Sequence, residues 1–267
     1  MRVIELLAAP DRLDRLRLLW EVRSARYASG HRPADPDFPD VHAFADTVGH
    51  SDHPLAGVER ILARGGEAED AVAEVVGRFR AFAGDRDDLP FPAFYNADPT
   101  HALLSYALVR HLGPEVVVES GVGYGVTTAL VLSALERNRR GHLTSIDLPP
   151  LAAASGAFTG ILVPEELRPR WTLHLGSSRK HLGGVLARVG TPGVFLSDSA
   201  NVFALERYEL DTVLPHLVPG GVALFNNIPK EFQEYAGTRD DVELRTIEQV
   251  DKAPMVTGLL WKRGGAG

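Results

Sequence analysis

The run Val116-Val117-Val118-Glu119-Ser120-Gly121-Val122-Gly123-Tyr124-Gly125-Val126-Thr127-Thr128 gathers the residues whose types and spacing could do chemistry. Three β-branched residues make a buried strand, an acid closes it, and three alternate glycines turn the chain into a helix. A strand, a glycine turn and a helix N-terminus bring backbone amides close to a nucleotide-like ligand. The spacing is Gly-x-Gly-x-Gly after an acid, not the Gly-x-Gly-x-x-Gly of dinucleotide folds. A turn that serves folding alone is the alternative. A second strand, His142-Leu143-Thr144-Ser145-Ile146-Asp147, ends in a carboxylate about 20 residues past the glycines, where nucleotide folds place the acid that meets a ribose. Taken alone, Asp147 reads equally well as a turn residue.

These groups need elements to hold them. Strands are expected at Val116–Glu119, His142–Asp147, Trp171–Leu175, Val194–Ser197 and Val222–Asn226. Helices are expected between them at Thr127–Glu136, Pro164–Leu167, Arg179–Val189 and Ala204–Leu214, and Asp98-Pro99-Thr100 starts a helix that runs through Leu112. Glu243–Gln249 and Val256–Arg263 read as a closing hairpin. Alternating βα units predict a parallel sheet with helices on both faces. Upstream, Arg2–Ser29, Ala56–Arg64 and Glu67–Phe82 have helical spacing, and Gly30–Pro54, rich in Pro, Asp and His, reads as a loop. The breaker Gly84–Pro92 divides a helical N-terminal part, residues 1–92, from a main domain, residues 93–267. Leucine stripes on the N-terminal helices suit a cap over the pocket or a two-fold dimer interface.

A net charge of −7 argues against a general nucleic-acid binder, and zero cysteines exclude disulfides, thiolate metal sites and cysteine nucleophiles. The N-terminus lacks a signal-peptide pattern and no apolar run is long enough to span a bilayer, so a soluble cytoplasmic protein is the expectation.

From about Tyr95 to Ile228 the chain resembles class I S-adenosylmethionine-dependent methyltransferases, in particular a bacterial small-molecule branch related to catechol-type O-methyltransferases. The resemblance is carried by Glu119–Gly125, Ser145-Ile146-Asp147-Leu148-Pro149, Trp171–Gly176 and the Leu217-Val218-Pro219-Gly220-Gly221 turn. It implies a Rossmann-like, doubly wound seven-stranded α/β sheet with a helical N-terminal extension. It implies S-adenosylmethionine as cofactor, S-adenosylhomocysteine as product and a small-molecule acceptor, plausibly in specialised metabolism. Glu119, Gly121, Gly123, Tyr124 and Gly125 would lie by the methionine part, Thr127 would reach its carboxylate, and Asp147 with Leu148 would hold the ribose. Ser177 and Ser178 would lie at the adenine edge, where relatives carry Gly-Asp and this chain has Gly176-Ser177. A serine there replaces a charged acceptor with a weaker neutral one.

The reaction site departs further. Methyl transfer needs alignment, exclusion of water and, for some acceptors, a base. Catechol-type relatives use a divalent cation held by an Asp followed by a His after the fourth strand, and by Asp-Asp or Asp-Asn after the fifth. Here Asp198 is kept, Asn201 takes the His position, and Asn226-Asn227 close the fifth strand. One anionic ligand holds a dication weakly, so no metal is expected. Asp198 then serves as base or orienter, and also borders the cofactor, with Asn201, Asn226 and Asn227 bonding the acceptor. Three readings follow in order: a metal-independent methyltransferase, a cofactor-binding fold repurposed for cyclisation or rearrangement, and a noncatalytic partner of an active homologue. His174, His181 and His216 read as structural or surface residues and Trp171 as core. Tyr95 is a lid candidate, Pro149–Val163 a mobile wall, and Phe232 and Tyr235 candidate acceptor contacts, with plain packing as the alternative for these aromatics.

Overall fold

In a computed structural model the chain is described over residues 11–17, 38, 40–48, 56–62, 66–84, 98–149, 155–250 and 254–264. A short helix covers residues 12–17. Four helices follow: α1 (Val41–Val48), α2 (Ala56–Leu62), α3 (Glu67–Ala83) and α4 (Pro99–Leu112). Strands and helices then alternate as β1 (Val116–Ser120), α5 (Val126–Asn138), β2 (His142–Asp147), β3 (Trp171–Leu175), α6 (Ser178–Val189), β4 (Val194–Ser197), α7 (Phe203–Val213), β5 (Val222–Phe225) and α8 (Lys230–Gly237). The hairpin β6 (Val242–Glu248) and β7 (Val256–Lys262) ends the chain, and two 3-10 turns, Ser155–Phe158 and Glu165–Arg170, lie between β2 and β3.

The strands form one seven-stranded sheet in the order β3-β2-β1-β4-β5-β7-β6. Strands β1 to β5 run parallel, and β7 pairs antiparallel with β5 and with β6. After β1 the chain winds outward to β2 and β3, then returns to the other side of β1 to form β4. The carboxyl ends of β1 and β4 therefore border the topological switch point, where open α/β sheets bind ligands.

Both faces of the sheet are covered, so its central strands β4 and β5 are buried along their whole length and open on apolar residues. Helices α4 and α5 pack on one face together with α1–α3, whose Val41, Phe44, Val58, Leu62, Val75 and Phe79 belong to the same core as Leu103 and Leu130. Helices α6–α8 cover the other face around Phe195, Phe225 and Leu210. Helix α4 starts where Asp98 accepts the Thr100 N–H at 2.9 Å, with Pro99 in the first turn, and stops at Gly113 in the left-handed conformation. Its Leu103, Leu104 and Leu108 are fully buried, each contributing about 2 kcal/mol by transfer from water.

Three expectations change. Gly30–Pro54 is not all loop: Val41, Phe44 and Ala45, at helical i, i+3, i+4 spacing, are buried on α1. Phe232 does not frame an acceptor pocket; α8 turns it into the core, its ring 4.9 Å from that of Phe225. The Tyr235 hydroxyl donates to Asp211 and its ring lies against Arg207 and Arg239, on the outer side of α7 and α8. Trp171 packs half-buried against the core and also donates its Nε1–H to Ser145 Oγ at 2.9 Å. Among the described residues no helix is long and apolar enough to cross a membrane. Tyr95, most of the Gly84–Pro92 breaker and most of the Arg2–Ser29 stripe lie outside the described residues.

Candidate active site

The glycine loop joins β1 to α5 across the carboxyl end of the sheet. Gly121 has φ 90° and Gly125 φ 95°, values L side chains rarely adopt. A Cβ on Gly121 would sit 2.2 Å from the Asp198 carbonyl oxygen, and one on Gly125 would sit 2.8 Å from the Gly160 Cα. The glycines thus let two neighbouring turns close against the loop. Gly123, at φ 54°, accepts the Gly160 N–H at 3.0 Å, and the Tyr124 carbonyl accepts the Leu162 N–H at 3.1 Å. The wall segment expected to move is pinned to the loop at these two points. The Tyr124 side chain is corrected: its ring is fully buried against Phe79 and Phe82, so only its backbone faces the site.

Asp147, at the end of β2, ties this loop to the neighbouring strand. Its Oδ1 accepts the Val122 N–H at 2.9 Å, its Oδ2 accepts from Thr159 Oγ1 at 3.2 Å, and the Gly123 N–H also bonds it. Burial pushes this carboxyl up, against the pull of those bonds and of the Arg15 guanidinium. An ionised carboxylate offers about four lone-pair sites, so three are taken and about one remains for a ligand hydroxyl. Leu148 follows, half-buried at the rim. The first turn of α5 contributes the Thr127 hydroxyl, which is buried and has no hydrogen-bond partner among the described residues. A helix N-terminus favours an anion there, so the loop, Thr127 and Asp147 fit a ligand carrying a carboxylate at one end and a ribose at the other.

Glu119 and Ser120 are successive residues of β1 and point to opposite faces. Glu119 is register partner to Ser145; it accepts from Ser145 Oγ at 2.6 Å and from Thr128 Oγ1 at 2.9 Å. Burial pushes its carboxyl up to about 8, against those two bonds and helped by the charges of Asp198 and Asp147. It supports the loop from beneath. Ser120, register partner to Ser197, donates to Glu209 Oε1 at 2.6 Å, while Ser197 donates to Oε2 at 2.6 Å. Ser178 also bonds Glu209, whereas the hydroxyl of its neighbour Ser177 donates to Asp14 Oδ2. Nearby on α7, Glu206 is buried with neither oxygen hydrogen-bonded among the described residues; burial, then Glu209 and Glu231, push its carboxyl well up.

Across the switch point Asp198 follows β4, half-buried, and its Oδ1 accepts from Asn226 Nδ2 at 2.6 Å. Asn226 is buried at the end of β5, and its Oδ1 accepts from Gln249 Nε2 at 2.7 Å. Gln249 also donates to Thr257 Oγ1 at 3.2 Å. Sequence reading missed Gln249, Glu209 and Asp14, because each reaches the site from a distant part of the chain. Asn201 and Asn227 both have positive φ, 49° and 58°. Asparagine tolerates that conformation better than most residues, so backbone geometry accounts for these two amides as well as any ligand does. A catechol-type cation does not fit this donor set. Asn226 offers Asp198 its amide hydrogens and turns its carbonyl to Gln249, leaving one carboxylate where a hard dication needs several oxygens. Among the described residues no group of three or more His, Cys, Asp or Glu could hold a metal ion.

Residues 118–228 match a family described as a methyltransferase domain. A search of curated proteins returned no match. Among solved structures, the chain is similar to the O-methyltransferase TomG from Streptomyces achromogenes, involved in tomaymycin synthesis and solved with SAM. Identity is 18%, coverage 73% of this chain and 90% of that one, and the TM-score 0.55. An O-methyltransferase from Bacillus cereus solved with SAH has 14% identity, the same coverages and a TM-score of 0.57. The SAH-bound methyltransferase PaMTH1 from Podospora anserina has 14% identity over 79% of this chain and 98% of that one, with a TM-score of 0.52. At these identities the likeness is one of fold.

Proposed function

We propose, from the methyltransferase-domain match over residues 118–228 and the seven-stranded sheet that carries it, that the chain transfers a methyl group from S-adenosylmethionine to a small-molecule acceptor without a metal ion. The observation that carries the reading is the Val122 N–H on Asp147 Oδ1, which joins the glycine loop to the acid of the next strand at the switch point. In this reading the backbone of Gly121, Gly123 and Gly125, whose amides are tied to Ile146, Asp147 and Val122, forms the close wall against the methionine end, and the Thr127 hydroxyl bonds it. Asp147 and Leu148 take the ribose, and Ser177 takes the base edge. Glu119 and Ser178 hold the frame, through Thr128 and Ser145 and through Glu209. Bound there, the cofactor supplies a methyl carbon already activated by the sulfonium charge.

What remains for the protein is to present an acceptor and deal with its proton. Asp198 is the base or orienter. Its carboxylate is aimed by the Asn226 amide, which Gln249 fixes in turn, so the acceptor meets an oxygen of defined direction. Asn201 and Asn227 border the same opening and offer it amide groups. The tomaymycin role of TomG supports, by analogy of fold, a place in specialised metabolism. A cytoplasmic, two-fold homodimer that binds neither nucleic acid nor membrane completes the proposal.

Calorimetry with S-adenosylhomocysteine tests the nucleoside site, and transfer of labelled methyl to a panel of hydroxyl, amine and carbon acceptors tests the reaction. Saturable binding and a labelled product whose rate is unchanged by EDTA are expected. Absence of saturation would refute the site, and loss of turnover with EDTA would refute metal independence.

A further inference from the structure

The helix over residues 12–17 lies across the carboxyl ends of β2 and β3 with its polar side turned inward. Leu13 and Leu16 are exposed, whereas Asp11, Asp14 and Arg15, at i, i+3 and i+4, face the sheet. Asp14 Oδ2 accepts from Ser177 Oγ at 2.5 Å, Asp11 Oδ1 pairs with Lys180 Nζ at 2.6 Å, and Arg15 Nη1 donates to the Pro149 carbonyl at 2.8 Å. The Arg15 charge also acts on Asp147. Asp11 adopts φ 59°, in the left-handed region that aspartate tolerates better than most residues, and so turns the chain at the head of the helix. Three polar anchors, and no buried leucine, seat one and a half turns of helix there.

The position explains the arrangement. This step rests on the nucleoside site proposed above. With the ribose at Asp147 on β2, the sheet order carries the attached base outward to the end of β3, where Gly176 and Ser177 lie. A Cβ on Gly176 would come 3.0 Å from Asp11 Oδ2, so the helix approaches this edge closely. We propose that residues 12–17 are a lid over the nucleobase end of the site and that Asp14 is its specificity residue. Asp14 supplies from the lid the carboxylate that Ser177 cannot. An ionised carboxylate only accepts hydrogen bonds, so Asp14 selects a purine that presents an exocyclic amine and rejects one that presents a carbonyl there. Its two oxygens accept from Ser177 and the base amine together.

The test compares binding of S-adenosylhomocysteine with its inosine analogue by calorimetry, in wild type, Asp14→Asn and Asp14→Ala. It is paired with tryptic cleavage after Arg12, Arg15 and Arg17 of the wild type, followed by mass spectrometry. Wild type is expected to favour the adenosine ligand. Asp14→Ala is expected to weaken it about tenfold or more and to shrink the preference by a similar factor, a lost charge-assisted bond being of that size. Asp14→Asn, which can donate as well as accept, loses most of the preference with a smaller loss of affinity. The ligand is expected to slow cleavage in residues 12–17. Unchanged affinity and preference in Asp14→Ala, or cleavage indifferent to ligand, overturns the lid. Absence of binding in the wild type overturns the nucleoside site itself. The cleavage experiment stands even if the variants fail to fold.

Discussion

Glu119→Gln separates the support of the glycine loop from its titration. In the folded chain burial raises the Glu119 carboxyl from its ordinary 4.5 to about 8. A carboxyl whose folded pKa is raised leaves its stability intact below the unfolded pKa and loses it as pH climbs, because the unfolded chain releases the proton first. The loss begins near pH 4.5 and levels off above pH 8. Its full size is on the order of 5 kcal/mol, most of which falls between pH 5 and pH 8. Glutamine has nearly the same shape and does not titrate, so it removes this slope. It also disturbs the bonds from Ser145 and Thr128, a pH-independent cost of about 1 kcal/mol. Asp147, Glu206 and Glu209 are shifted in the same direction and slope the wild-type curve too, so the informative quantity is the difference between variant and wild type. Urea unfolding of both proteins at pH 5, 6, 7 and 8 measures it. The variant is expected to be slightly less stable or equal at pH 5 and to gain steadily on the wild type, by most of that margin at pH 8. A difference that stays flat over that range would refute the buried, protonated state of Glu119.

Three further outcomes follow from the same contacts. Asp198→Asn is expected to lower kcat about 100-fold or more, the usual worth of a positioned base, while the Kd for S-adenosylhomocysteine moves far less; parallel calorimetry and turnover separate the two. Gly121→Ala, forced to φ 90° with its Cβ 2.2 Å from a backbone oxygen, is expected to destabilise the chain by about 4 kcal/mol in urea unfolding. Glu206→Leu removes a buried carboxyl without partners among the described residues and is expected to stabilise by about 2 kcal/mol at pH 8. That gain should shrink toward pH 5, since the raised carboxyl costs stability only above its unfolded pKa.

The sheet was legible wherever local pattern and tertiary burial agree. The apolar runs at Val116, Val194 and Val222 became central parallel strands because both of their faces are covered, and Asp98-Pro99 capped α4 where the local chemistry required. Helix α1 was obscured by the Pro, Asp and His around it, although Val41, Phe44 and Ala45 carried a helical stripe. Helix α8 was passed over because Phe232 read as a site aromatic before its partner Phe225 was known. Within the site, the glycine loop and Asp147 were readable from spacing. The groups that aim them were not, since Asp14 meets Ser177 across 163 residues and Gln249 meets Asn226 across 23, through a hairpin whose seat beside β5 no local signal specifies. The serines at positions 120 and 197 gave no hint of Glu209 either, because their shared direction exists only once β1 and β4 pair in register.

That pairing has a mechanical consequence. Glu119 and Ser120 are adjacent in the chain, yet one is bolted to the α5 layer and the other, through Glu209, to the α7 layer. Both layers are thus clamped to a single peptide unit at the mouth of the crevice, and sliding either layer breaks a buried bond to a carboxyl. Residues 155–163 lie outside this clamp but are tied to the loop above it, Thr159 through Asp147 and Gly160 through Gly123. A change in that wall is therefore felt by the loop through Thr159 and Gly160, whereas the floor beneath, held from both faces at once, stays in register.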